Sequence, residues 1–116
     1  MTELVVERTT LLESLDNDTE LLKDLVGMFL ADFPRMLAVV RAGVVARDSV
    51  QIMSASHALK GSISIFGAKK AVAAAQNLES MGRERQLENV VEAFSVLERE
   101  AALVTFALEE ITKGAV

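Results

Sequence analysis

The chain has no cysteine, one histidine and one proline among its 116 residues. The missing cysteine excludes disulfides and thiolate metal sites, and a single histidine cannot build the usual multi-histidine zinc site. No block of lysines and arginines stands out, and the formal net charge is −5. Phosphate backbones and anionic lipid therefore exert no net attraction, which removes nucleic acid from the expected partners. Nor is there a long apolar run: Arg35, Arg41 and Arg47 break up the most hydrophobic region, short of the ~18 residues a membrane span requires. Met1 leads into Thr2 and Glu3 rather than a basic segment with an apolar signal core, so the expected location is cytoplasmic. The length suits a single domain over residues 1–116 with a real core.

What the chain does have is helical periodicity. Residues 7–15 can form a short helix with Leu11, Leu12 and Leu15 on one side, a lid or flank that needs docking at that length. Leu4, Val5 and Val6 before it read as ambiguous or extended. Asn17, with Glu20 three residues on, looks like a capping box, and an acidic first turn suits the helix dipole. A helix over about 18–46 follows, with Leu21, Leu22, Leu25, Met28, Phe29, Leu30 and Phe33, then Met36, Leu37, Val40, Val44 and Val45, at mostly helical spacing. Pro34 lies inside this run. Because the apolar period continues past it without loop residues, one kinked helix is preferred over two.

Asp48 and Gln51 form a second capping box, opening a helix over 50–66 that Gly67 is placed to stop. Residues 68–81 are alanine-rich and helical by propensity, with Val72, Ala75, Leu78 and Met81 inward and Gly82 as the end. Residues 86–113 repeat Leu87, Val90 or Val91, Phe94, Leu97, Ala101, Val104, Leu108 and Ile111 in steps of three and four, up to Gly114. This is a long amphipathic helix with a coiled-coil-like seam. No alternating strand pattern of useful length appears. The expected fold is all-α: an up-and-down antiparallel four-helix bundle with a short additional N-terminal helix.

The histidine sits in the third long segment. There Ile52, Ser56, Leu59, Ile63 and Phe66 make the core stripe, and His57 projects roughly 140° from its centre. Lys60, Gly61 and Ser64 share the histidine's face. A neutral imidazole is a good nucleophile. Lys60 can offset charge added to the ring, and Ser64 is small enough to bond a phosphoryl group or water. Gly61 costs about 1 kcal/mol relative to alanine in mid-helix, and its bare backbone leaves room for another protein to close over the ring. Taken singly, His57, Lys60 and Gly61 are more often a surface histidine, a solvated lysine and a packing glycine than functional groups, and taken together they are not independent.

The string His57-Ala58-Leu59-Lys60-Gly61-Ser62, followed by Gly67-Ala68, resembles the signature of histidine-containing phosphotransfer (HPt) domains of two-component phosphorelays. The likeness extends to the acidic turn, the Asp32 to Pro34 region, the glycine-ended fourth segment and the long last helix, and so to essentially the whole chain. The resemblance implies a phosphorelay intermediate: His57 takes a phosphoryl group from the phosphoaspartate of a response-regulator receiver domain and passes it to another receiver. Lys60 then lies near the phosphoryl group, Gly61 admits the receiver, and the helix carrying Phe29, Phe33, Met36 and Leu37 supplies part of the docking surface, which of the four face outward being left open. The expected partners are receivers or a hybrid histidine kinase, and the chain is expected to be a monomer. No cofactor of its own is expected, the Mg²⁺ belonging to the receiver. The chain offers no Gly-rich nucleotide loop and no base paired with the histidine, which fits a phosphocarrier and not an enzyme.

Two alternatives stand beside this reading. One is the phosphotransfer domain of a chemotaxis-type histidine kinase. A chain that starts at Met1 and stops just after its last helix favours a free-standing protein over that one. The other is a helical module that only binds a partner, its histidine incidental.

Overall fold

The computed structural model describes residues 5–113 and contains five helices: α1 Arg8–Ser14, α2 Thr19–Ala46, α3 Ser49–Ser64, α4 Lys69–Glu84 and α5 Val90–Thr112. No strand occurs among the described residues. Four long helices, joined by short turns, pack in the cyclic order α2, α3, α4, α5, with α5 closing back on α2. The bundle is the one expected from periodicity, and α1 adds Leu11 and Leu12 to its core, with Leu15 packed half-buried against it. Val6 is buried ahead of α1, while Leu4 and Gly114 lie outside the described residues.

Helix α2 runs unbroken through Pro34, as one helix and not two. Its start lies one residue later than the spacing suggests. The cap is Asp18, whose Oδ1 accepts the Leu21 amide at 3.0 Å, and not Asn17. Asn17 is consumed in closing α1: it takes a left-handed φ of 60° and donates its amide to Leu12 O at 2.7 Å. A residue held left-handed in the turn that closes one helix lacks the extended backbone an N-cap needs, which Asp18 has at φ −82°. At the start of α3 the expected cap holds, with Asp48 Oδ1 accepting the Gln51 amide at 3.1 Å. Only half of the box forms, because the Gln51 amide group reaches across to Val39 O.

The helix ends are less regular. Helix α3 stops at Ser64, short of Phe66, and Gly67 supplies the positive φ of 69° in the turn beyond. Gly82 does not end α4. It is buried within the helix, where a Cβ would come within 2.7 Å of Met53 N and Ser49 O on α3. The missing side chain lets the two backbones touch. Termination falls instead to Arg85, which adopts φ 57° while the Gln86 amide closes onto Met81 O at 3.0 Å. That closure, and the turn after it, delay α5 to Val90 rather than residue 86. The α5 seam is otherwise as read: Val90 and not Val91 enters the core, with Phe94, Leu97, Ala101, Val104, Leu108 and Ile111.

A candidate phosphotransfer site on the α3 and α4 faces

The core stripe of α3 is Ile52, Ser56, Leu59 and Ile63, all fully buried. Anchoring that stripe turns the opposite face outward, and the His57 side chain is 68% exposed. The geometry expected from periodicity is therefore present. One turn on, the position at Gly61 is open: a Cβ there would meet no neighbouring group within 4 Å. Helix packing, which accounts for Gly82, does not account for Gly61.

The histidine is not alone on its inner side. Glu79 of α4, a residue the sequence reading passed over, is almost wholly buried, its side chain 4% exposed, and its carboxylate gathers three partners. Oε1 lies 3.2 Å from His57 Nδ1 and 2.8 Å from Lys60 Nζ, and Oε2 pairs with Arg83 Nη2 one turn further along α4. The signal was there in retrospect. Glu79 shares the inward face of α4 with Ala75, Leu78 and Gly82, and a carboxylate on a core-facing position has to find cations.

Lys60 is accordingly not a free cation beside the ring. Its side chain is 23% exposed, and besides Glu79 its Nζ donates to Gln76 Oε1 at 2.8 Å. The hydrogen bond from Lys60 is the main influence holding the Glu79 carboxyl down to about 2 from its ordinary 4.5. Burial pushes the other way, and donation by Arg83 and His57 lowers it further.

A carboxylate held that far down only accepts hydrogen bonds at neutral pH. His57 Nδ1 must therefore be the donor, which in the neutral imidazole places the ring proton on Nδ1 and the lone pair on Nε2. Nδ1 faces α4, so Nε2, across the ring, is at the exposed edge. The arrangement presents a nucleophilic nitrogen outward and fixes its tautomer from behind.

Ser64 does not join this cluster. Its hydroxyl donates to Gly61 O at 2.8 Å, and seven residues of helix separate it from His57 by about 10 Å along the axis. The four α2 residues left open as docking contacts now divide by burial. Phe29 and Phe33 are buried, stacked on each other with centroids 5.2 Å apart, and Phe29 meets Phe66 edge-on. They belong to the core. Met36 and Leu37 are half-buried. The outward apolar residues in this region are Met28 on α2 and Ile65 just past α3, which flank a shallow groove with Asp32, Met36 and Ser62.

A four-helix bundle that displays a single imidazole on a helix flank, backed by a buried carboxylate and two cations, defines a class of helical domains built around one surface histidine. A family model described as Hpt domain matches residues 24–109. The chain belongs to the Hpt domain family, whose members take part in phosphotransfer in two-component signalling and interact with response-regulator receiver domains. Comparison with curated proteins gives no match, and comparison with solved structures gives none. No described helix is long and apolar enough to cross a membrane.

Proposed function

We propose that this protein is a phosphorelay intermediate in which His57 is the phosphorylated residue. The observation that carries the proposal is the Nδ1 contact to Glu79, which leaves Nε2 as the exposed nucleophile. In the forward step the Nε2 lone pair attacks the phosphorus of a receiver's aspartyl phosphate. An N–P bond forms, the P–O bond to the aspartate breaks, and its electron pair leaves on the aspartate carboxylate. The Nδ1 proton stays in place, so the phosphorylated ring is cationic and faces the Glu79 carboxylate. Onward transfer reverses these roles at a second receiver. No proton moves in either direction, which removes the need for a general base.

In this reading the receiver supplies the phosphoaspartate and its Mg²⁺, and the protein acts as a cytoplasmic, monomeric carrier without kinase activity of its own. Gly61 gives the receiver access to the ring. Met28 and Ile65, on either side of the groove between α2 and the end of α3, supply apolar docking contacts.

The test is to mix the protein with a labelled phosphoreceiver and follow the label. Transfer to the wild-type chain and none to His57→Gln is the expected result, and label on the variant would show that His57 is the wrong residue. Labelling by a histidine-kinase core with ATP, but by no phosphoreceiver, would move the protein to the chemotaxis-kinase alternative.

A further inference from the structure

Glu79 divides its two oxygens. Oε1 serves His57 and Lys60, and Oε2 serves Arg83. Building on the phosphotransfer reading, we propose that Arg83 is a positioning residue that holds Glu79, so that Lys60 can leave it for the phosphoryl group.

The argument starts from burial. A carboxylate with 4% of its side chain exposed is strongly destabilised if its cationic partner departs. In the resting state Lys60 is engaged twice, with Glu79 and with Gln76, so its charge is already compensated. A phosphoryl group on Nε2 carries close to two negative charges and competes for that ammonium. When Lys60 turns to it, Glu79 retains the imidazole N–H on Oε1 and the guanidinium on Oε2. Without Arg83, Lys60 would be the only cation on a buried anion, and the cluster would lock it there.

Counting charges leads to the same point. Lys60 and Arg83 against Glu79 leave one net positive charge beside the ring, and removing Arg83 leaves none. Arg83 is suited to the task because its own side chain is half-exposed. It can remain solvated while one arm of the guanidinium pins Oε2.

The experiment loads the full chain with phosphoramidate, a small phosphodonor that needs no docking surface, and measures the rate at which His57 acquires phosphate. Arg83→Gln is expected to slow loading by about fivefold in the wild-type background, a modest charge effect at a partly exposed site. Arg83→Lys should recover most of the loss. In a Glu79→Gln background, where no buried carboxylate needs holding and Lys60 keeps only its neutral partner Gln76, Arg83→Gln should change the rate little.

Equal slowing in both backgrounds would mean that Arg83 acts on the phosphoryl group by itself, which overturns the assignment. So would unchanged loading in the single variant. Failure of the wild-type chain to load on His57 at all would instead overturn the phosphotransfer reading beneath it. Circular dichroism of each variant separates these outcomes from loss of fold.

Discussion

His57 Nδ1 lies 3.2 Å from Glu79 Oε1, although 22 residues separate the two in the chain. This contact makes the histidine's two nitrogens inequivalent: one is held as a donor against a buried acceptor, and the other is left exposed. A surface imidazole without such a partner would exchange between tautomers, and only a fraction would present the Nε2 lone pair at any moment.

The contact predicts the outcome of Glu79→Ala. Imidazole ¹⁵N shifts should report a single tautomer with the proton on Nδ1 in the wild-type protein and a mixture in the variant. Loading by phosphoramidate should slow by about tenfold, as expected for an unoriented nucleophile. A variant with the wild-type shift pattern would mean that something other than Glu79 sets the tautomer.

Glu79 also ties stability to pH. Its carboxyl is lowered from 4.5 to about 2 in the folded protein, so the native state favours the ionised form. That contribution is present in full above pH 4.5 and is lost as the pH falls from there towards 2. In urea titrations the stability of the wild-type chain relative to Glu79→Gln should be level above about pH 5 and decline below it. A difference that stays level down to pH 2 would contradict the lowered carboxyl.

At Gly61 the prediction concerns access. Gly61→Phe adds bulk where the structure has open space, so helicity and melting temperature should hold. Transfer from a phosphoreceiver should fall by about a hundredfold, because displacing the partner by an ångström or so from in-line geometry costs that much. Unimpaired transfer would place the receiver elsewhere.

The docking groove gives a complementary case. Replacing both Met28 and Ile65 with lysine should reduce transfer from a phosphoreceiver by about tenfold, the effect of losing a good apolar contact. Loading by phosphoramidate should not change. If both reactions slow together, the two residues act on the site and not on docking.

Gly82 carries the structural counterpart to Gly61. Gly82→Ala forces a methyl to within 2.7 Å of the α3 backbone, and denaturant unfolding should show a loss of about 1–3 kcal/mol. A neutral or stabilising alanine would mean that α3 and α4 can part at no cost.

Comparing these two glycines shows what a single sequence can and cannot resolve. Both lie inside helices and both cost helix propensity, yet one is there for packing and the other stands in open space. Sequence reading took Gly82 for a helix stop because a glycine after an apolar period usually is one. The real stop, Arg85, carries no such signal, since a left-handed arginine is chosen by the closure of the turn and not by its own preference. Which of Phe29, Phe33, Met36 and Leu37 face outward stays open in the sequence for a related reason: periodicity places them on a stripe but does not say whether the stripe meets a neighbouring helix or a partner. Asn17 and Asp18 differ by one position, and only the left-handed turn ending α1 decides between them.

The sequence by itself determined the helices, the core stripe of α3 and the outward direction of His57, because each depends on a repeat of 3.6 residues within one continuous segment. It also supplied the family, through a short string whose residues are neighbours on one helix. Only the tertiary structure decided that Glu79 stands behind the imidazole, that Lys60 and Arg83 share its carboxylate, and that the Ser64 hydroxyl turns to Gly61 O. Those relations depend on how α4 is rotated and shifted against α3, which is set by the joint packing of both helices at Gly82 and along the core.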